Sequence, residues 1–234
     1  MAETETKKKI KWIPLESNPE VMNKYVHKLG LSSQWAYTDV FGLEEELLLM
    51  IPKPIKAFLL LFPTSEAHEN YTKIQVESIK EKGQEISPNV VFYKQTISNA
   101  CGTIGLVHSL ANNRDSISFE DGPLKRLLDK TKALTPEERA KCLEEDDDLA
   151  EAHQTSARMG QTRAPGEDER VDLHFTCLVE KDGSIYELDG TKPFPINHGS
   201  CDDFVKGSVD IIKKFMERDP NNLQFTVVAL APKD

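Results

Sequence analysis

The 234-residue sequence predicts a mixed α/β (α+β) chain in which a central sheet is wrapped by helices, and three observations carry that expectation. The apolar run Ala57-Phe58-Leu59-Leu60-Leu61-Phe62 stops at Pro63, as a short central strand buried on both faces does. Two stretches, Asp172 to Val179 and Ile185 to Asp189, flank Asp182-Gly183, a pair that favours the tight turn of a β-hairpin. Around them lie segments with helical apolar spacing and recognisable caps.

In chain order, the first helix starts with Asn18 as N-cap and Pro19 at its first position, and it ends before Gly30. Val21, Met22, Tyr25, Val26 and Leu29 form its apolar stripe. A short helix is expected after Gly42 and a longer one from Ser65 to Lys82. The strand at 57–62 lies between them, and Asn89 to Gln95 reads as a second strand. Helices follow over 99–112, 120–133 and 136–145, then the hairpin, a helix over 202–218 and a last strand from Leu223 to Leu230. Glu144 to Arg170 breaks this pattern. It holds nine acidic residues and three arginines, with Leu149 and Met159 its only large apolar side chains. A stretch that cannot bury a face is expected to be a mobile loop, and loops of that length inside a compact domain tend to be functional. It leads straight into the strand bearing His174.

With no internal repeat, the chain is expected to form one domain over 1–234 with a polar tail at 1–11. A net charge of −10 argues against nucleic acid as the main partner, because phosphate binding needs a basic surface. The polar N-terminus lacks the apolar core of a signal peptide, and the run at 57–62 is far too short to span a membrane. Cys101, Cys142, Cys177 and Cys201 show no C-x-x-C spacing, so no zinc site, redox dithiol or cofactor is indicated. Free thiols fit a reducing, cytoplasmic setting, and nothing demands more than a monomer.

The chemistry concentrates in four residues. Cys101 opens an apolar helix in which Ile104, Val107, Leu110 and Ala111 share a face and Gly102 and Gly105 permit close backbone approach. With Ser98 or Asn99 as cap, Cys101 falls in the first turn, where the helix dipole and free N–H groups favour a thiolate. Gln95, six residues earlier, can aim an amide N–H beside the Cys101 N–H at a developing oxyanion.

Six histidines compete for the role of base. His108 lies about 10 Å along the helix from Cys101, too far for a hydrogen bond. His27 sits on a surface helix, His68 near a helix start, His153 in the acidic segment, and His198 in a loop with no acidic residue close by in sequence. His174 differs. Strand alternation sets Asp172, His174 and Thr176 opposite the apolar face of Leu173, Phe175, Cys177 and Val179. With Asp182-Gly183 as the turn, residue 174 faces 191 and 176 faces 189, so Asp189 lies diagonal to His174 on the same face. An aspartate there orients the imidazole and stabilises imidazolium. By themselves these four residues point to thiol acyl transfer and say nothing of its substrate.

The flanking motifs narrow it. Trp12-Ile13-Pro14-Leu15-Glu16-Ser17-Asn18-Pro19, Val171-Asp172-Leu173-His174-Phe175, Tyr186-Glu187-Leu188-Asp189-Gly190 and Lys192-Pro193-Phe194-Pro195-Ile196-Asn197-His198-Gly199 resemble the ubiquitin carboxyl-terminal hydrolase family, short single-domain type. The resemblance runs from Trp12 to Pro232 and implies a papain-like cysteine-protease fold with a mostly antiparallel sheet and a knotted backbone. It implies Cys101 as nucleophile, His174 as base and later acid, Asp189 as orienter and Gln95 as oxyanion donor. Ubiquitin is the implied partner, and a close ubiquitin-like protein such as NEDD8 is admitted as a second. The segments matching its ubiquitin contacts are Pro14-Leu15-Glu16-Ser17-Asn18-Pro19, Ala157-Arg158-Met159-Gly160-Gln161-Thr162-Arg163-Ala164 and Asn222-Leu223-Gln224-Phe225-Thr226-Val227. The acidic stretch 144–170 corresponds to a crossover loop above the active site, which would admit only slim leaving groups. Two rivals stay open: a Cys-His-Asp acyltransferase, for which no phosphate-cradling glycine motif stands out, and a ubiquitin-binding module with little turnover.

Overall fold

The structure is a computed structural model and describes residues 11–163, 165, 169 and 171–233. Eight helices and six strands are found among them: α1 Pro19–Lys28, β1 Trp35–Asp39, α2 Glu45–Leu48, β2 Ala57–Pro63, α3 Glu66–Lys82, α4 Cys101–Asn112, α5 Pro123–Thr131, α6 Pro136–Glu144, α7 Asp147–Ala157, β3 Leu173–Lys181, β4 Ser184–Leu188, β5 Ile196–Ser200, α8 Phe204–Glu217 and β6 Thr226–Pro232. The strands form one sheet in the order β1-β6-β2-β3-β4-β5, antiparallel at every pairing. No helix among the described residues is long and apolar enough to cross a membrane.

Strand β2 lies inside the sheet and is buried on both faces, which is why its sequence is continuously apolar rather than alternating. Its Phe58, Leu60 and Phe62 pack with Ile212 and Phe215 of α8, while Ala57 and Leu59 join the cluster around α4. Full burial of each large side chain contributes about 1.5–3 kcal/mol. Helix α4 is the core of the other layer, with every residue from Gly102 to Asn112 buried. Cβ atoms at Gly102 and Gly105 would come within 3.0 Å of Leu15 and Leu59 side-chain atoms, so the glycines set how closely α4 approaches its neighbours.

Local signals explain the well-matched elements. Asn18 caps α1 by accepting from the N–H groups of Glu20 and Val21, and Ser65 caps α3. Asp182 and Gly183 both have positive φ, +50° and +76°, as a two-residue type I′ hairpin turn requires. That turn sets the register Cys177↔Leu188, the one expected from Asp182-Gly183.

Four expectations are corrected. Residues 89–95 join no sheet, because α4 supplies their partners: Asn112 clamps Val91 through both its amide atoms (2.8 Å each), and His108 Nε2 accepts from Tyr93 N–H (2.9 Å). A step of two residues along an extended chain and four along a helix both advance about 6–7 Å, so helix side chains can stand in for a neighbouring strand. The acidic stretch is not wholly loop. Asp146 caps α7, which buries Leu149, Ala152, His153, Ser156 and Ala157, an i, i+3, i+4, i+7, i+8 face built from one leucine, small residues and a histidine. Residues 196–200 form edge strand β5 rather than a loop. Finally, β6 starts at Thr226, leaving Leu223 88% exposed ahead of it. Residues 1–10 of the expected tail lie outside the described residues, and Lys11 bridges Ser98.

Candidate active site

Cys101 is the first residue of α4 and opens onto a cleft. Neither Ser98 nor Asn99 caps the helix. Ala100 holds that position without a side-chain bond, and Asn99, at φ +63°, turns the chain and donates from Nδ2 to the Trp12 carbonyl (3.1 Å). No cap side chain occupies the first-turn N–H groups, so helix dipole and amides remain directed at the sulfur and its surroundings.

The hairpin brings His174, the expected base, to that sulfur. Pairing between β3 and β4 ends at Cys177↔Leu188, while β3 runs on to Leu173 against β2 alone. The sheet therefore opens beside His174 and Phe175, and the start of α4 comes to this opening. The Cys101 thiol comes under the direct electrostatic influence of the His174 imidazole and the Phe175 N–H. His174 Nε2–H donates to Asp189 Oδ1 at 2.8 Å, which leaves Nδ1 for the thiol. Phe62 meets the imidazole edge-on, with ring centroids 5.7 Å apart.

Electrostatics follow from this geometry. Burial alone would push the Cys101 thiol up, but the hydrogen bond and charge of His174, with the Phe175 amide, outweigh it and hold the thiol below its ordinary value. Burial likewise opposes imidazolium at His174, yet Asp189 and then Cys101 hold that group well above the usual range. Asp189 is held low in spite of burial by His174, Lys192 and Thr191. Thiolate and imidazolium thus stabilise one another.

Gln95 reaches the site through the chain after Asp189. Its N–H donates to the Gly190 carbonyl at 2.8 Å. Its side-chain Nε2 donates to the Ile97 carbonyl at 3.2 Å, which leaves a second N–H on the same nitrogen. The amide oxygen Oε1 is buried without a hydrogen-bond partner among the described residues.

Two of the three expected contact segments converge on Cys101. A cleft of about 200 Å³ is lined by Cys101 and Phe175 and by residues of both segments, including Pro14, Glu16, Ala157 and Arg163. Glu16 ties them together: its carboxylate accepts from Gln161 N–H (2.9 Å), Thr162 N–H (3.2 Å) and the Thr162 hydroxyl (2.9 Å). The third segment, 222–227, does not line this cleft. It leads into β6 near exposed Phe41, the Val40 N–H donating to the Val227 carbonyl. Ala164 lies outside the described residues.

The other histidines have structural roles. His108 Nδ1–H donates to the Leu188 carbonyl (3.2 Å), which locks residue 93 and the end of β4 to α4. His153, expected in a loop, is fully buried on α7, packs at a tilt against Trp12 with ring centroids 4.3 Å apart, and bonds Thr103 and the Ile13 carbonyl. His198 has an acidic partner after all, Glu187 Oε2 at 2.9 Å, brought beside it by the β4–β5 pairing. Glu187 also pairs with the Lys192 ammonium in a buried cluster. Burial opposes its charge, but Lys192 and His198 keep that carboxylate ionised. The pairing of 187 with 192 and 198 was not visible in the sequence, although 187 shares strand parity with 189.

Comparison with known proteins supplies the context. Residues 12–217 match the model of the family described as ubiquitin carboxyl-terminal hydrolase, family 1. A Drosophila melanogaster ubiquitin carboxyl-terminal hydrolase is 48% identical over 94% of this chain and 96% of its own length. The human ubiquitin carboxyl-terminal hydrolase isozyme L1 is 47% identical over 93% of this chain and 96% of its own. Among solved structures, the Trichinella spiralis UCH37 catalytic domain bound to ubiquitin vinyl methyl ester superposes with a TM-score of 0.74 at 24% identity, covering 95% of this chain and 96% of that one. At that identity the superposition speaks to the fold.

Proposed function

This chain belongs to family 1 of the ubiquitin carboxyl-terminal hydrolases, the cysteine-type deubiquitinases, and on that footing we propose that Cys101, His174, Asp189 and Gln95 cleave bonds after the C-terminal glycine of ubiquitin. The observation that carries the residue assignment is the His174–Asp189 pair, with 2.8 Å between His174 Nε2 and Asp189 Oδ1, set beside Cys101 at the start of α4 so that imidazole and thiol act on each other. The thiolate attacks the glycine carbonyl, and the oxyanion is received by the Cys101 N–H and the unspent N–H of Gln95 Nε2. Imidazolium passes its proton from Nδ1 to the leaving group. The same nitrogen then takes a proton from the water that resolves the thioester.

The cleft lined by 14–17 and 157–163 receives the extended tail of ubiquitin. Segment 222–227, with exposed Leu223 and Phe41 nearby, receives part of the globular body. Any acyl carbonyl with a slim leaving group meets the needs of Cys101, so esters, thioesters and amides all qualify, and a tail like that of NEDD8 fits the same chemistry. Four free cysteines, a catalytic thiol among them, suit a cytoplasmic setting.

The test is a Cys101→Ser variant assayed on ubiquitin carrying a C-terminal fluorogenic amide. Turnover should fall to near background while ubiquitin binding persists; full turnover would sink the assignment.

A further inference from the structure

Asp189 Oδ1 carries three hydrogen bonds. Besides His174 Nε2–H at 2.8 Å, it accepts from the Thr191 N–H at 2.9 Å and from the Thr191 hydroxyl at 2.7 Å. We propose that Thr191 is a positioning residue for the reaction: its amide and hydroxyl together hold the Asp189 carboxylate oxygen on His174. This rests on the reading of Cys101, His174 and Asp189 as the catalytic set.

The argument is geometric. An aspartate carboxylate rotates easily about its last bond, whose torsional profile is broad, so one bond to an imidazole does not fix it. Two donors from a single residue, aimed at the same oxygen, do. The turn that presents them is itself held at both ends. Lys192 N–H closes it onto the Asp189 carbonyl at 3.0 Å, and the buried Lys192 ammonium is pinned between Glu187 and Gln75 Oε1, the latter at 3.2 Å. At the other end Gly190 is wedged against Ile104 and Gln95. Thr191 itself is exposed, in the groove between α3 and His174, yet its hydroxyl turns inward to a carboxylate that is almost fully buried. Its exposure makes it a clean probe, because replacing it disturbs no core packing.

The consequence concerns the pH range of the thiolate–imidazolium pair. Cys101 from α4 and Asp189 after β4 are the titratable groups facing His174. Asp189 is faced in turn by His174 and Lys192, with His68 of α3 and His108 of α4 also in its field. A carboxylate free to swing supports imidazolium less well. Imidazolium is then lost at lower pH, so the alkaline side of the active range moves down.

The experiment compares wild type, Thr191→Val and Thr191→Ser. Valine keeps the backbone N–H and the shape but removes the hydroxyl; serine keeps the hydroxyl. With the fluorogenic ubiquitin substrate, Thr191→Val should lose about ten-fold in kcat with KM unchanged, as for loss of a bond to a charged group. In parallel, alkylation of Cys101 by iodoacetamide, followed on its own peptide by mass spectrometry, should show its high-pH step displaced downward. Serine should restore both. Wild-type kcat and an unshifted alkylation profile in Thr191→Val, or a serine variant no better than valine, would overturn the proposal. Alkylation needs no ubiquitin, so failure of the substrate assignment shows separately, as a wild type that turns over nothing.

Discussion

At the scale of single residues, Gly190 is a joint of the site that backbone closes off. A Cβ there would lie 2.9 Å from Ile104 Cγ2 and 3.0 Å from both Gln95 Cβ and the Gln95 backbone nitrogen. The backbone nitrogen cannot rotate away, so Gly190→Ala must push Gln95 and Asp189 apart. A stability loss of about 1–3 kcal/mol is expected from overpacking, together with a larger fall in kcat/KM than that loss explains. Urea midpoints beside kcat/KM check it, and wild-type kcat/KM would refute it. Gly190 was legible only as part of a motif. His174 and Asp189 were more fully legible, because strand period and the Asp-Gly turn fix which side chains share a face. His198 was misread because its acidic partner, Glu187, arrives through a strand pairing that sequence spacing does not reveal.

At the scale of elements, the described residues of the acidic stretch include a helix and a tethered stretch. Helix α7 packs through Leu149, Ala152, His153, Ser156 and Ala157, and hands the chain at Ala157 to the residues that Glu16 holds. The spacing of those buried positions, with Asp146 before them, was a usable helix signal; their small size hid it beneath the acidic composition. Three bonds to one carboxylate at an exposed site make Glu16 the tether of 161–162. In Glu16→Ala, amide exchange at Gln161 and Thr162 should speed up by about ten-fold or more, measured by hydrogen exchange. Unchanged exchange at both positions would show that something else holds the segment. The error at 89–95 has a related cause. Its polar backbone is satisfied by Asn112 and His108 of α4, partners far along the chain that a strand pattern cannot anticipate.

At the scale of the whole molecule, three buried neutral histidines make stability depend on pH. Burial, the largest cause in each, pulls His68, His108 and His153 down to about 4 from an ordinary value near 6.5. Between those values the unfolded chain binds more protons than the folded one. Stability is therefore full above about pH 6.5 and is lost as pH falls toward 4. His108 alone accounts for roughly 2 kcal/mol at pH 5. His174 is shifted the other way, so its contribution is already complete below pH 6.5 and does not offset the loss. The urea midpoint should drop clearly between pH 7 and pH 5, and less in a His108→Gln variant compared with its own value at pH 7. A midpoint flat over that range would refute the assignment of these histidines as buried and neutral.

By itself the sequence determined the family resemblance and the local frame of the candidate site. A cysteine opening a glycine-bearing apolar helix, a hairpin whose turn residues set one register, and capped helices are all consequences of short-range sterics and periodicity. Only the tertiary structure decided what those pieces meet. It brought the opened end of the β3–β4 pairing to the start of α4, so that Phe175 and His174 reach Cys101. It also turned Glu16 into a tether, and Thr191 and Lys192 into supports for Asp189. Apart from the local turn at 189–192, these contacts join residues distant in sequence, which packing geometry brings together.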